Sequence, residues 1–441
     1  MVTVTFRLSV RLIVAIPILL FSLGSWALGQ ETVLYNFTGG ADGGQPVGTM
    51  VLDNAGNLYG ATEAGGEFNK GTVFMVTAAG QECVLHSFGA FNGDGEFPVA
   101  GVIFDSAGNL YGTTLGGGTQ LDGTVFKLTG VGCSWVEQIL YSFCSVGYPM
   151  NCNDGSTPEA ALTLYNGGIL LGTTTSGGGN GGANGVVFQL VPSGSGYAES
   201  VIYNFPQSIN GAVPGSGLAV DSNGNLYGEV FLGGTANVGL VYKLVAQSGG
   251  GWNYTVIFNF NGPNGGNALG DSVILDASGN LYGTTEGGGI CGQFLGGCGV
   301  VYELSTNGNG GYNQTRLYQF AGGLDGALTQ AGLTMDSSGN LYGSTVHGGG
   351  AGCGNGYGCG LDFELIPIAG GNWTEAILNG FNGTDGRRPE AGLTLPLATA
   401  NHVTAQNSPR PIKRGCPGGC YGSTLQGGAY DQGVVYSLPS Q

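Results

Sequence analysis

The sequence carries little charge, and most of that charge is of one sign. Only 9% of the 441 residues are charged, and 28 acidic residues stand against 11 basic ones. A protein of this kind is repelled by nucleic-acid phosphates and by anionic membrane surfaces. Binding to nucleic acid is therefore excluded as a function.

Catalytic motifs are also missing. The three histidines, His86, His347 and His402, are scattered along the chain and accompany no Ser or Cys motif. There is no G-x-S-x-G elbow, no H-E-x-x-H pair and no phosphate-binding loop. Nothing in the sequence calls for an organic cofactor. These absences favour a non-catalytic protein.

Glycine is the residue that the chain has in excess. It supplies 92 positions, which disfavours helices, while 41% of the residues are hydrophobic and can form a large core. The composition predicts an all-β protein of short strands joined by glycine turns.

Residues 1–29 are typical of a secretory signal peptide. Arg7 and Arg11 precede an apolar run over residues 12–28, and small residues permit cleavage after Ala27 or Gly29. The alternative is that this run stays uncleaved as a membrane anchor. No second apolar span follows. We therefore expect export to the periplasm or the extracellular space.

Ten cysteines, an even number in an exported chain, predict disulfides. Spacing suggests four close pairs: Cys144–Cys152, Cys291–Cys298, Cys353–Cys359 and Cys416–Cys420. Cys83 and Cys133 remain, and each precedes an equivalent strand in adjacent repeats. Zinc is the alternative partner for cysteines, but no histidines accompany them.

Internal repetition is the strongest pattern in the chain. The first marker is an aromatic strand ending in Phe: LYNF (34–37), LHSF (85–88), LYSF (140–143), IYNF (202–205), IFNF (257–260), LYQF (317–320) and LNGF (378–381). The second is a hairpin D-x-x-G-N-L-Y-G-T, as in DSAGNLYGTT (105–114). The third is a strand such as GTVFKL (123–128). Each marker occurs seven times, two of the hairpins as the divergent copies NGGILLGTT (166–174) and CYGST (420–424). The period is 52 to 60 residues, with one stretched copy of 79.

Each repeat accommodates four strands, which we call A to D in chain order. Strand A precedes the hairpin, strand B is NLYGTT, strand C is GTVFKL and strand D ends in the Phe marker. The mature chain opens on an unaccompanied D strand and ends on a C strand. We therefore predict that residues 30–441 form a single seven-bladed β-propeller, closed by pairing of the N-terminal strand with the last blade.

The order GNLYGTT, GGG, GTVFKL resembles the bacterial Gloeo/Verruco (GloVer) tandem repeat found in choice-of-anchor proteins. The resemblance covers essentially the whole mature chain and implies an exported bacterial protein. No sorting anchor follows the last strand in this sequence. We therefore expect a freely secreted or periplasmic monomer.

Loops of an up-and-down blade alternate between two faces, so the D–A and B–C loops share one face, here called the D–A/B–C face. The D–A loops repeat an Asp-Gly or Asn-Gly pair. The candidate binding residues are the five aspartates of these pairs: Asp42, Asp94, Asp154, Asp325 and Asp385. They could hold a structural Ca²⁺ or hydrogen-bond a glycan. The alternative is that Asp-Gly is simply turn chemistry.

The sequence thus favours a binding or scaffold propeller that recognises a polysaccharide or a protein. One alternative is a carbohydrate-active hydrolase or lyase, which would need two carboxylates on either side of one bond. Glu63, Glu229 and Glu286, expected after strand B in three blades, are the candidates. The other alternative is a purely structural envelope protein. A basic insertion at residues 396–420 is most simply a surface loop.

Overall fold

The computed structural model describes residues 31–148, 151–179, 184–206, 209–268, 271–291, 294, 296–349, 352–353, 356–396 and 415–440. The expected signal peptide lies outside the described residues. So do residues 397–414, which make up most of the basic insertion, with Arg410, Lys413, Arg414 and His402.

The described residues form 29 strands. Strand β1 is Thr32–Asn36, and the first blade follows with β2 Gly44–Leu52, β3 Leu58–Ala64, β4 Thr72–Val76 and β5 Glu82–Ser87. The second blade has β6 Gly95–Glu96, β7 Ile103–Phe104, β8 Leu110–Thr114, β9 Gly116–Gly117, β10 Thr124–Val131 and β11 Ser134–Ser142. The third has β12 Thr163–Tyr165, a 3-10 turn at Asn166–Gly168, β13 Ile169–Thr174, β14 Val186–Ser193 and β15 Gly196–Asn204.

The remaining blades continue the same order. The fourth has β16 Ala219–Val220, β17 Leu226–Val230, β18 Leu240–Ala246 and β19 Trp252–Asn259. The fifth has β20 Ile274–Leu275, β21 Leu281–Thr285, β22 Val300–Thr306 and β23 Tyr312–Gln319. The sixth has a 3-10 turn at Gly323–Asp325, then β24 Thr334–Met335, β25 Leu341–Thr345, β26 Leu361–Ile368 and β27 Asn372–Gly380. The seventh has β28 Cys420–Thr424 and β29 Val434–Leu438.

The fold is the predicted seven-bladed propeller of antiparallel sheets. Six blades are four-stranded and ordered A-B-C-D, and β6 pairs separately with β9. The seventh sheet has the order β1-β29-β28, so the N-terminal strand supplies its strand D. Within the described residues of this blade, strand A consists of one bridge, in which Thr394 exchanges backbone hydrogen bonds with Tyr421. The predicted ring closure is confirmed.

The glycine of the L-Y-G motif makes room for an aromatic ring. In every blade a Cβ added at this glycine would lie 2.2–2.7 Å from the strand C aromatic side chain on the neighbouring strand. Gly112, for example, faces the ring of Phe126, and Gly422 faces Tyr436. The glycine is therefore required by packing inside the blade.

The same strand C ring also joins each blade to the one before it. The Phe that ends strand D of one blade packs against it at all seven junctions, with ring centroids 5.0–5.4 Å apart. Six of these pairs are edge-on, and Phe320–Phe363 is tilted at 59°. These phenylalanines are Phe37, Phe88, Phe143, Phe205, Phe260, Phe320 and Phe381, and all are buried. Edge-to-face pairs add to the free energy gained by burying large rings. The two most regular markers of the sequence thus form the inter-blade core.

The Asp of the D-x-x-G hairpin closes its own turn. Asp105 accepts the backbone N–H groups of Ala107 and Asn109, the Asn109 amide and the Tyr111 hydroxyl. The same four contacts recur at Asp53, Asp221, Asp276 and Asp336. These carboxylates are structural.

The starts of the A strands meet at the propeller axis. Asp271 of the fifth blade accepts the hydroxyl proton of Thr49 in the first blade, and the Gly217 N–H of the fourth blade donates to the Asp271 carbonyl. The backbone N–H of Gly392 in the seventh blade also donates to the Thr49 hydroxyl. Contacts among blades this far apart in the ring place these residues at the centre.

Five disulfides use all ten cysteines. They are the four close pairs that the spacing suggested and a fifth between the two remaining cysteines, Cys83 and Cys133. Four close short loops, whereas Cys83–Cys133 links the first blade to the second. Within the described part of the chain, no helix is long and apolar enough to cross a membrane.

Candidate functional site

The five candidate aspartates of the D–A loops hold their own loops in shape. Asp94 accepts the N–H groups of Ala90 and Gly95 at 2.8 and 2.7 Å, and its side chain is buried. Asp154 is buried as well and accepts the Tyr141 hydroxyl at 2.7 Å.

The other three aspartates have the same kind of partner. Asp42 accepts the N–H of Thr38, Asp325 that of Ala321 and Asp385 that of Asn382. Each of the five lies at a different blade junction, so they do not form one cluster. Their contacts are those of turn chemistry, the alternative that the sequence left open.

Each of the seven D–A loops carries an unusual residue three positions after the Asp or Asn of its Asp-Gly or Asn-Gly pair. At all seven positions a residue other than glycine has φ between 54° and 60°. The seven residues, here called the axial ring, are Gln45, Phe97, Thr157, Val213, Asn267, Leu328 and Arg388. Each donates its N–H to a carbonyl of the preceding blade at 2.7–2.9 Å, and all are half-buried.

A left-handed backbone costs a residue with a Cβ about 1–2 kcal/mol, and glycine avoids most of that cost. This chain uses glycine at 92 positions but at none of these seven. Seven different side chains occupy one repeated, strained position next to the axis. Strain that persists in this way is typical of a functional surface.

Polar side chains gather on one side of the axial ring. We call Glu63, Glu286, Gln330, Arg388 and Glu390 the polar arc; they come from the first, fifth, sixth and seventh blades. Gln330 Nε2 lies 3.1 Å from Glu286 Oε1, and the Arg388 guanidinium reaches Glu390 Oε1 with 2.6 and 3.0 Å bonds.

The carboxyls of the polar arc act on one another. Burial raises the pKa of Glu390; Arg388 opposes this rise, while Glu63 and Glu286 add to it. Burial also raises the pKa of Glu286. Three carboxyls from three blades therefore lie within electrostatic reach at the mouth of the axis.

On the opposite side of the ring, the second and fourth blades carry apolar side chains, while the third blade between them carries Thr157 and Thr175, whose hydroxyls lie 2.9 Å apart. Phe97, Leu115, Val213 and Phe231, here called the apolar arc, come from the second and fourth blades and are half-buried. The backbone N–H of Leu115 donates to the carbonyl of Phe97, and that of Phe231 to Val213, so both pairs are held side by side. The mouth of the axis thus has a polar arc on one side and, on the other, two apolar pairs separated by the polar third blade.

Exposed apolar side chains concentrate on the same face. Among the described residues, ten of the 14 large exposed hydrophobic ones lie in D–A or B–C loops: Phe68, Phe91, Leu121, Val146, Tyr148, Ile209, Ile290, Leu324, Tyr357 and Tyr430. Exposed apolar surface gathered on one face marks an interaction site. Sequence reasoning identified the face but not the residues, because variable loop positions carry no motif.

The expectation for Glu229 was wrong. It lies inside β17, where the segment NLYGEV replaces NLYGTT, so its side chain is buried between the fourth and fifth blades. Its carboxyl accepts the Tyr302 hydroxyl at 2.5 Å, and burial raises its pKa to about 8. Asp362 is likewise buried and accepts the Tyr436 and Ser344 hydroxyls. Glu229 cannot act together with Glu63 and Glu286.

These buried acids predict a pH-dependent stability. Burial raises the pKa of Glu31 and Glu229 to about 8 and that of Asp362 to about 7. The native protein therefore binds more protons than the unfolded chain above about pH 4.5, and its stability falls as the pH rises toward 8. We expect the calorimetric melting temperature to be several degrees higher at pH 5.5 than at pH 9.

A Glu229→Gln variant is the control for this pH effect. Its amide cannot ionise, so the variant should lose part of the decrease in melting temperature between pH 5.5 and pH 9. A melting temperature that rises toward pH 9 would contradict the assignment of these groups as buried neutral acids.

The family model of the Gloeobacter/Verrucomicrobia repeat matches residues 20–183 and 179–408. No protein of curated function matches the sequence.

Several solved structures are similar in fold. An ulvan lyase from a new polysaccharide lyase family has a TM-score of 0.53 at 12% identity, over 94% of this chain and 95% of that one. A puromycin-hydrolyzing peptidase of Mycobacterium tuberculosis has a TM-score of 0.46 at 12% identity, over 74% of this chain and 45% of its own. A luciferin-regenerating enzyme has a TM-score of 0.41 at 12% identity, over 91% and 94%. At such identity the likeness concerns the fold alone.

Proposed function

The chain belongs to the Gloeobacter/Verrucomicrobia repeat family, and from this premise we propose that it is an exported, non-catalytic propeller that binds polysaccharide at the mouth of its axis. The axial ring carries this proposal, because seven different side chains occupy one strained, repeated position. Five disulfides support export, since they persist in oxidising compartments.

Carbohydrate is the class of ligand that suits the two arcs. A sugar ring has apolar C–H faces and an equatorial belt of hydroxyls. Phe97 and Phe231 offer flat apolar surfaces for the faces, and Glu286, Gln330 and Glu390 offer acceptors and donors for the hydroxyls. Arg388 is already paired with Glu390. A strongly anionic ligand would therefore find little unpaired positive charge in these arcs.

The acidic character of the protein narrows the class further. Without Arg7 and Arg11 the chain has nine basic and 28 acidic residues. The negative electrostatic field of the protein does not repel a neutral polysaccharide, whereas it repels a highly anionic one. The five D–A loop aspartates contribute in this proposal by shaping the loops that carry the arcs.

The test is a binding screen of residues 30–441 against soluble polysaccharides and a glycan array, with and without Ca²⁺. We expect selective binding to neutral glycans, weakened about 10- to 100-fold by Glu286→Gln, because a buried or half-buried hydrogen bond to a charged group is lost. Glu303→Gln is the matched control, since Glu303 lies on β22 next to Tyr282, away from both arcs.

The screen has two outcomes that contradict the proposal. No binding across the panel would leave a protein ligand or a structural role as the function. Equal losses in Glu286→Gln and Glu303→Gln would remove the polar arc from the binding site.

A carbohydrate-active enzyme is the second candidate, favoured by one observation. Glu63, Glu286 and Glu390 lie within electrostatic reach, and burial raises the pKa of Glu390. One protonated and one ionised carboxyl is the pair that glycoside cleavage uses. Chromatography of any bound polysaccharide after prolonged incubation decides between binding alone and cleavage. New reducing ends that Glu390→Gln abolishes would establish cleavage, and an unchanged polymer would leave binding alone.

A further inference from the structure

The junction of the first and second blades differs chemically from its counterparts. At the junction of the fifth and sixth blades, Tyr318 on strand D donates its hydroxyl to the loop Asp325 at 2.5 Å and to Glu375 on the next strand D at 2.9 Å. At the first junction a histidine, His86, takes the place of this tyrosine. The three equivalent groups are therefore His86, Asp94 and Glu137.

The His86 group is buried but lacks the hydrogen bonds that the tyrosine provides. The side chains of Asp94 and Glu137 are 0% and 3% exposed, and that of His86 is 14% exposed. Neither Glu137 oxygen nor His86 Nε2 has a hydrogen-bond partner. Buried carboxylate oxygens without donors are costly, so they indicate a missing cation or proton.

The spacing of the ligand atoms suits a metal ion. His86 Nε2 lies 3.5 Å from Asp94 Oδ1 and 3.4 Å from Glu137 Oε2, and all three ligand atoms lie within 4.8 Å of one another. A tetrahedral zinc ion, with bonds of about 2.0–2.2 Å, holds its ligand atoms about 3.3–3.5 Å apart. An imidazole with two carboxylates is a set that favours Zn²⁺ over Ca²⁺, which takes six or more oxygen ligands.

The surroundings hold these groups in place. Asp94 accepts the N–H groups of Ala90 and Gly95, and the His86 ring packs edge-on against Phe88 with centroids 4.7 Å apart. The cysteines are not available as zinc ligands, because all ten are in disulfides. Three protein ligands leave the fourth position of a tetrahedral site for water.

We propose that His86, Asp94 and Glu137 bind a zinc ion that joins the first blade to the second. The site lies on the same pair of outer strands as Cys83–Cys133, the one disulfide that links two blades. His86 and Cys83 belong to β5. Glu137 belongs to β11, and Cys133 directly precedes β11. The disulfide and the metal therefore fasten the two strands at separate points.

The experiment uses residues 30–441 after chelator treatment and dialysis, with Zn²⁺ itself as the probe. Isothermal titration calorimetry and elemental analysis should give one Zn²⁺ per chain, and added Zn²⁺ should raise the melting temperature. His86→Tyr restores the residue that other junctions carry, so this variant should fold normally. It should bind Zn²⁺ on the order of 100-fold more weakly or not at all.

Two further variants test whether Zn²⁺ binds at this junction and not at an equivalent one. Glu137→Gln should also lose tight binding, whereas Glu375→Gln at the fifth junction, where tyrosine replaces histidine, should keep one Zn²⁺ per chain. Parent protein that takes up no Zn²⁺, or His86→Tyr protein that binds it as tightly as the parent, would overturn the proposal. The outcome is independent of glycan binding, since the site lies at an outer junction.

Discussion

Deletion of residues 31–38 is expected to abolish the cooperative unfolding transition of the propeller at physiological temperature. β1 is strand D of the seventh blade, paired with β29 along Thr32–Asn36. Phe37 is fully buried against Phe74, so its loss alone should cost about 3–5 kcal/mol. The deletion also exposes the edge of β29. The combined decrease in the free energy of unfolding then approaches the total stability of a typical domain.

A circular permutant is the control for this deletion. Residues 31–38 are moved behind Ser440 through the five-residue turn 77–81, which connects strands C and D of the first blade. This protein contains the same strands in the same blade, and its melting temperature should lie within a few degrees of the parent's. A deletion variant that melts like the parent would show that ring closure contributes nothing.

Gly112→Ala is expected to lower the free energy of unfolding by about 2–3 kcal/mol through overpacking. The added Cβ would lie 2.5 Å from the Phe126 ring on the adjacent strand, closer than real contacts allow. The φ angle of Gly112 is not in the left-handed region, so the cost comes from space and not from backbone strain. Urea denaturation with a constant m-value measures it.

Two variants isolate the cause of that cost. Gly196→Ala, on β15, meets no atom within 4 Å and should be neutral or slightly stabilising. Phe126→Leu makes room for the new methyl group. The double variant Gly112→Ala/Phe126→Leu should therefore lose less stability than the sum of the losses in the two single variants. If Gly112→Ala proved as harmless as Gly196→Ala, the explanation of the L-Y-G motif would fail.

The fold could be predicted because its determinants repeat seven times in short segments. The Gly of L-Y-G, the strand C aromatic residue and the strand D Phe each recur at a fixed place, and the structure shows them in contact. The half-repeats at the two ends predicted the pairing of β1 with β29. Strand A has only two residues in four of the blades, for example Ile103–Phe104 in the second.

The candidate site could be predicted only as a face of the propeller. The repeated Asp-Gly pairs directed attention to residues such as Asp154, which the structure uses to hold loops. The axial ring was missed because its seven residues share a backbone conformation and no residue type. His86 replacing a strand tyrosine was visible in the sequence. Its proximity to Glu137, 51 positions later on the next blade, depends on the ring geometry.

Hydrogen–deuterium exchange of the protein with its tightest-binding polysaccharide locates the bound ligand. We predict slower exchange at the mouth of the axis, in peptides covering residues 62–66, 286–289, 326–331 and 386–390. Exchange in the C–D loops, such as residues 129–134 and 192–196, should not change. Protection confined to the C–D loops or to the outer strands would contradict the claim that the axial ring and its two arcs form the binding site.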